Sequence, residues 1–169
     1  MKMTSVAAAL ACGCISLAAN NALAQQKTIK DQIVGAWTVV SAVDIKPDGS
    51  KVDPWGANPR GSAIYEANGR YVFMLMRSDL PKVAAKNRAQ VTGDEGKAIA
   101  QGMIAYFGTY SVNEADKSVT FKVEGSSYPN IVGVEQKRII TSISADEMKY
   151  TNPTSSTGTK VEGVWKRAK

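Results

Sequence analysis

From residue 35 onward, apolar and β-branched side chains alternate with polar ones through most of the chain, the period-two pattern of half-buried strands. In "GAWTVVSAVDI", Trp37, Val39, Ser41, Val43 and Ile45 fall on one face and predict a first strand, preceded by a helical turn over 29–33. Pro47-Asp48-Gly49 closes that strand with turn chemistry, and a Pro-, Gly- and Asn-rich loop follows over 53–61. "SAIYEANGRYVFMLMR" predicts two strands joined at Asn68-Gly69, a pair suited to a hairpin turn whose central residues need positive φ. From 78 to 103 the pattern changes to Ala, Lys, Gln and Arg. Thr92 and Glu95 stand at capping-box spacing, Asp94 and Glu95 place negative charge on a first turn, and Ile99 and Met103 lie four apart. A helix therefore interrupts the strands. Alternation resumes over 105–112, 118–124, 134–143, 148–152 and 159–167. Eight strands in hairpin-like order predict an all-β fold: an eight-stranded antiparallel up-and-down barrel with a helical insertion between strands 3 and 4. Closure removes the edges that an open sheet would expose.

The first 24 residues break the pattern. Lys2 precedes the apolar run "VAAALACGCISLAA", which is too short for a folded membrane span, and Ala22-Leu23-Ala24 presents small residues where a signal peptidase reads. The expectation is a cleaved signal peptide over 1–24, with cleavage after Ala24 and a barrel domain over 25–169, in a periplasmic or secreted protein. Ala9-Leu10-Ala11-Cys12 offers the alternative of an acylated cysteine. If cleavage follows Ala24, both cysteines leave with the leader, and the domain must be stable through core burial without disulfides.

Composition then excludes several chemistries. The chain has no histidine, and its formal charge of +6 becomes +5 once Lys2 is removed, with acids interspersed and no run of like charges. Nucleic acid is not an expected partner, and membrane contact is at most peripheral. Without histidine or a mature cysteine there is no base or ligand set for the usual triads, for zinc or copper, or for histidine-ligated haem. "GDEGKA" lacks phosphate-loop spacing and "NEADKS" lacks the oxygens of a calcium loop, so no cofactor is expected.

Four strings in order, "PWGANPRGSAIY", "NGRYVFMLMR", "IAYFGTYSV" and "SSYPNIVGVEQKR", resemble the bacterial and fungal lipocalin-like domain family, a likeness covering nearly all of the chain beyond the leader. Gly35-Ala36-Trp37 is similar to the G-x-W signature of lipocalins. The resemblance implies structural roles for Gly35 and Trp37, with the tryptophan plugging the closed barrel end and Arg167 of "VWKR" packing near it. It also implies that the "WGANPRG" loop folds over the open end, making Arg60 a mouth residue; a solvated turn is the alternative. Where histidines are common in the family's fifth strand this chain has Phe121 and Lys122, so histidine acid–base chemistry is not carried over.

Inside a closed eight-stranded barrel, alternate residues line an interior that holds side chains or one small ligand. On the sixth strand Val134, Gln136, Arg138, Ile140 and Ser142 share the face taken as inward, which brings a guanidinium into the core. A buried arginine needs a partner. Glu124 or a ring of hydroxyls would be structural partners, and a ligand carboxylate would be a functional one. Tyr106 and Tyr110 share a face of the fourth strand around Gly108. Both faces of the third strand are apolar, so Met74 and Met76 compete with Phe73 and Leu75 for the interior; Tyr65 and Tyr150 add hydroxyls. The expected ligand-binding set is Arg60, Tyr65, Met74, Met76, Tyr106, Tyr110, Gln136, Arg138 and Tyr150. It would hold a small apolar molecule with a carbonyl or carboxylate end beneath a lid over 78–103. Two alternatives stay open: a cofactor-independent isomerase or cyclase, and a barrel filled by its own side chains that serves envelope stress or interaction.

Overall fold

The computed structural model describes residues 27–169, so the expected signal peptide lies outside the described residues. Nine strands form one antiparallel sheet: β1 (Gly35–Ile45), β2 (Lys51–Val52), β3 (Arg60–Tyr65), β4 (Arg70–Met76), β5 (Met103–Asn113), β6 (Ser118–Ser126), β7 (Glu135–Ile143), β8 (Glu147–Asn152) and β9 (Lys160–Arg167). β9 pairs with β1 from Trp37↔Arg167 to Ile45↔Lys160, which closes the sheet. The barrel has eight strands. The two-residue β2 pairs with the far end of β1 as an appendage in the loop that the turn residues had marked.

Helix α1 (Ile29–Ile33) crosses one end of the barrel and buries Ile33. Trp37 is fully buried beneath it and donates its Nε1–H to the Ile33 carbonyl at 2.8 Å. The Arg167 guanidinium lies 4.1 Å over the Trp37 ring and donates to the carbonyls of Val34 and Gln32. These bonds satisfy carbonyls at the end of α1 that the helix itself leaves open. Gly35 has φ +121°, and a Cβ there would stand 2.8 Å from Arg167 Nη1, so both backbone and space require glycine. Gly35, Trp37 and Arg167, expected as structural residues, meet at this end of the barrel.

The opposite end carries the β1–β3 connection, the β4–β5 insertion, a 3₁₀ turn over Pro129–Ile131 between β6 and β7, and the β8–β9 loop. Helix α2 (Gly93–Gly102) starts in the predicted capping box, with Thr92 accepting from the Glu95 N–H and Glu95 accepting from the Thr92 N–H. Gly102 is its one buried residue, packed against Leu80. The helix rests lightly on the rim.

Two β-bulges change the expected parity. The register shifts between Val39 and Ser41, so beyond Val39 it is Ala42 that is buried while Ser41 and Val43 stay partly exposed, against a continuous face from Trp37 to Ile45. A second shift between Ile140 and Ser142 exposes Ser142 and turns Ile143 toward the core. An extra residue on one strand reverses every later side chain, and local pattern gives no warning of it.

Candidate functional site

β7 carries the centre of the site. Phe121↔Gln136 and Val119↔Arg138 set its register against β6, so Gln136 and Arg138 stand on the face of the buried Val119 and Phe121. Arg138 is 7% exposed. Its Nη2 donates to Tyr106 Oη at 2.9 Å, and its Nη1 donates to the Lys137 carbonyl at 3.2 Å. The guanidinium carbon lies 5.5 Å from the ring centres of both Phe121 and Tyr150. Among the described residues no carboxylate pairs with it. Glu124, one of the structural partners that the sequence offered beside a ring of hydroxyls, faces out and binds Arg70 at 2.8 Å. The buried cation is held by a phenol, a carbonyl and two aromatic faces.

Glycines on the neighbouring strands allow two close approaches near this point, one of an aromatic ring and one of backbone. Tyr150 faces Gly163, where a Cβ would stand 2.6 Å from the phenol ring. Tyr71 faces Gly108, where a Cβ would meet the Lys122 carbonyl. Tyr106 stacks on Phe73 with ring centres 4.7 Å apart, and Tyr71 meets Tyr106 edge-on. Burial pushes the Tyr106 phenol up to about 12 even though the Arg138 charge pulls it down. Burial, with Tyr150 and Tyr106 nearby, also holds the Tyr65 phenol well above its ordinary value. Burial opposes the Arg138 charge while Tyr106, Tyr150 and Tyr65 favour it; the net direction is upward, and the site keeps its cation.

Above Arg138 lies a chamber with about 60 Å³ of free space. Arg138, Tyr106, Tyr150, Gln136 and Asn152 provide its polar wall; Phe73, Leu75, Ile104 and Ile131 are among its apolar walls, and Trp55 also contributes. The chamber is small. Ligand pockets for drug-sized molecules are typically several hundred Å³, so this space suits a head group of a few atoms.

Of the residues expected to touch a ligand, Tyr106, Gln136, Arg138 and Tyr150 meet on this wall. Tyr65 is buried beneath it against Phe121 and Tyr110. Tyr110 donates its hydroxyl to the Glu66 carbonyl at 2.8 Å, on the plugged side of the barrel, and is not on the chamber wall. Met74 is on the outer face, because Tyr71, Phe73 and Leu75 take the interior of β4. Met76 is half-buried at the end of β4 and does not line the chamber. Arg60 is exposed where β3 begins, and Trp55 from the same loop reaches the chamber in its place. The insertion expected as a lid contributes no lining residue before Ile104. Trp55 and Asn152 were missed by sequence reasoning. For Asn152 the signal was present, since it shares parity with Tyr150 two residues before it on β8.

The sequence matches the lipocalin-like domain family over residues 34–168. This chain belongs to the lipocalin-like domain family. No curated protein matches it. Among solved structures it is similar to a lipocalin-like protein from Bacteroides uniformis, with 9% identity over 81% of this chain and 99% of that one, at a TM-score of 0.45. It is also similar to a redesigned β-barrel (13% identity, 85% and 98% of the two chains, TM-score 0.43) and to another bound to DFHBI (14%, 83% and 100%, 0.42). The matched family region runs from just before Gly35 to just after Arg167, so in this lipocalin-like chain it takes in all the barrel strands and leaves out the helix α1 that covers the plugged end.

Proposed function

We propose that this lipocalin-like barrel is exported and binds a small molecule whose carboxylate or carbonyl end enters the inner chamber and accepts hydrogen bonds from Arg138. The observation that carries the reading is a cationic fork in the core that faces a cavity and has no carboxylate partner among the described residues. A buried ion without a counter-ion is costly, and an entering anion supplies one. Phe73, Leu75, Ile104 and Trp55 surround an apolar segment behind the head. Among the described residues no Asp or Glu lines the chamber, so Arg138 and the tyrosines can polarise a carbonyl without a carboxylate base beside it, which favours binding over turnover.

Calorimetry with hexanoate and with hexanol tests this reading. Hexanoate binds the wild type, hexanol binds much more weakly, and Arg138→Met removes the difference. Equal affinity for acid and alcohol overturns the reading. The small free volume supports a second one, a barrel filled by its own side chains that acts through its outer surface; failure of every apolar and acidic probe to bind the folded protein is its signature.

A further inference from the structure

The inner chamber adjoins a larger space. Gln136, Asn152, Ile131, Ser155 and Ser156 line both the 60 Å³ chamber and an outer vestibule of about 440 Å³ between the Pro129–Ile131 turn and the β8–β9 loop. These residues form the boundary between the two spaces. Their amides stand at the junction: Gln136 lies two residues from Arg138 on one strand face, and Asn152 two residues from Tyr150 on another. Two residues of strand span about 7 Å.

Both amides have unused hydrogen-bonding capacity. Asn152 is buried, and its Oδ1 accepts from the Thr154 N–H at 3.3 Å, leaving the Nδ2 donors without a protein acceptor among the described residues. Half-buried Gln136 takes part in none of the side-chain bonds that hold Arg138 and Asn152. Beyond them the vestibule is mixed, with Val134 and Pro153 beside Asn130, Ser156 and Tyr128 and with one acid, Glu135, and one base, Lys137. A plain hydrocarbon tail passing this point would desolvate two amides and return no bonds.

The geometry points to a more specific ligand class: a slender carboxylic acid carrying an uncharged oxygen acceptor, a hydroxyl or an amide carbonyl, about 7 Å from its carboxyl carbon along an extended chain. An extended backbone advances roughly 3.5 Å per three bonds, so that spacing is about six bonds. The acid group sits at Arg138, the second oxygen meets Gln136 and Asn152, and the remainder of the molecule occupies the vestibule. This inference rests on the reading of Arg138 as the anchor and adds a second recognition point to it.

The test compares hexanoate with ω-hydroxyhexanoate, whose hydroxyl oxygen is at that spacing, by calorimetry on the full chain. Wild type binds the hydroxy acid roughly three- to tenfold more tightly, the yield of one well-placed hydrogen bond. Gln136→Leu, at a half-buried position of similar volume, removes the preference between the two acids. Equal affinity of the wild type for the two acids, with hexanoate still dependent on Arg138, overturns this inference and leaves the anchor intact. A preference that survives Gln136→Leu overturns the junction assignment. If neither acid binds, the anchor reading fails and this one falls with it.

Discussion

Arg138→Met separates a functional arginine from a structural one. The wild-type guanidinium makes two hydrogen bonds, at 2.9 and 3.2 Å, and lies 5.5 Å from two aromatic centres. Hydrogen bonds from a charged donor contribute about 1.5–3 kcal/mol each. Desolvated cation–π contacts add about 1–2 kcal/mol each. Against these stands the burial of an ion without a counter-ion, which costs several kcal/mol even after relaxation. The two sides are of the same order. Methionine fills similar space without the desolvation cost, so unliganded stability should change by less than about 1.5 kcal/mol in urea unfolding. The bound state is different: the acid head loses its charge-assisted bonds, and hexanoate affinity falls roughly 10- to 150-fold. Saturating hexanoate should raise the wild-type unfolding midpoint and leave that of the variant nearly unmoved, because a ligand stabilises only the state it binds. A loss of more than about 3 kcal/mol without ligand, with hexanoate affinity unchanged, refutes the reasoning and makes the arginine a framework residue.

Other outcomes follow from the same geometry. Gly35→Ala forces a side chain into a φ of +121° and against Arg167; it should cost roughly 2 kcal/mol in denaturant unfolding. Gly163→Ala pushes on the Tyr150 ring, so it should weaken hexanoate binding severalfold, and a second change, Tyr150→Phe, should not restore it. Trp55 lines the chamber while Trp37 and Trp165 are fully buried elsewhere, so a fluorescence change on hexanoate binding should vanish in Trp55→Phe. Alkaline stability follows the buried phenols. Tyr106 ionises near 10 in the unfolded chain and near 12 in the folded one, so from about pH 10 upward the unfolded chain releases a proton that the fold retains. Stability is therefore full below pH 10 and declines toward pH 12, and tyrosinate absorbance should rise together with loss of the strand signal in circular dichroism. Ionisation of Tyr106 with the fold intact would contradict this.

Much of the framework could be read directly from residue order. Period-two alternation located the barrel strands, Asn68-Gly69 marked the β3–β4 hairpin, and Thr92 with Glu95 marked the start of α2, because turns and caps are local events set by a few neighbouring side chains. Parity carried Gln136, Arg138 and Ile140 to the inner face of β7. It failed beyond the bulges, and it had no preference on β4, where both faces are apolar.

The alternation of side chains along each strand, together with the signals for turns and helix start, determined by sequence alone that this chain would form a closed antiparallel barrel with a cation in its wall. Only the tertiary structure decided which molecular groups surround that cation. Pairing across strands placed Phe73 inside and Met74 outside, sent Glu124 to Arg70, and brought Tyr106, Tyr150, Asn152 and Trp55 to one small chamber. Those neighbours come from distant parts of the chain, and their meeting depends on register, bulges and closure, which belong to the whole sheet and not to any one segment of it.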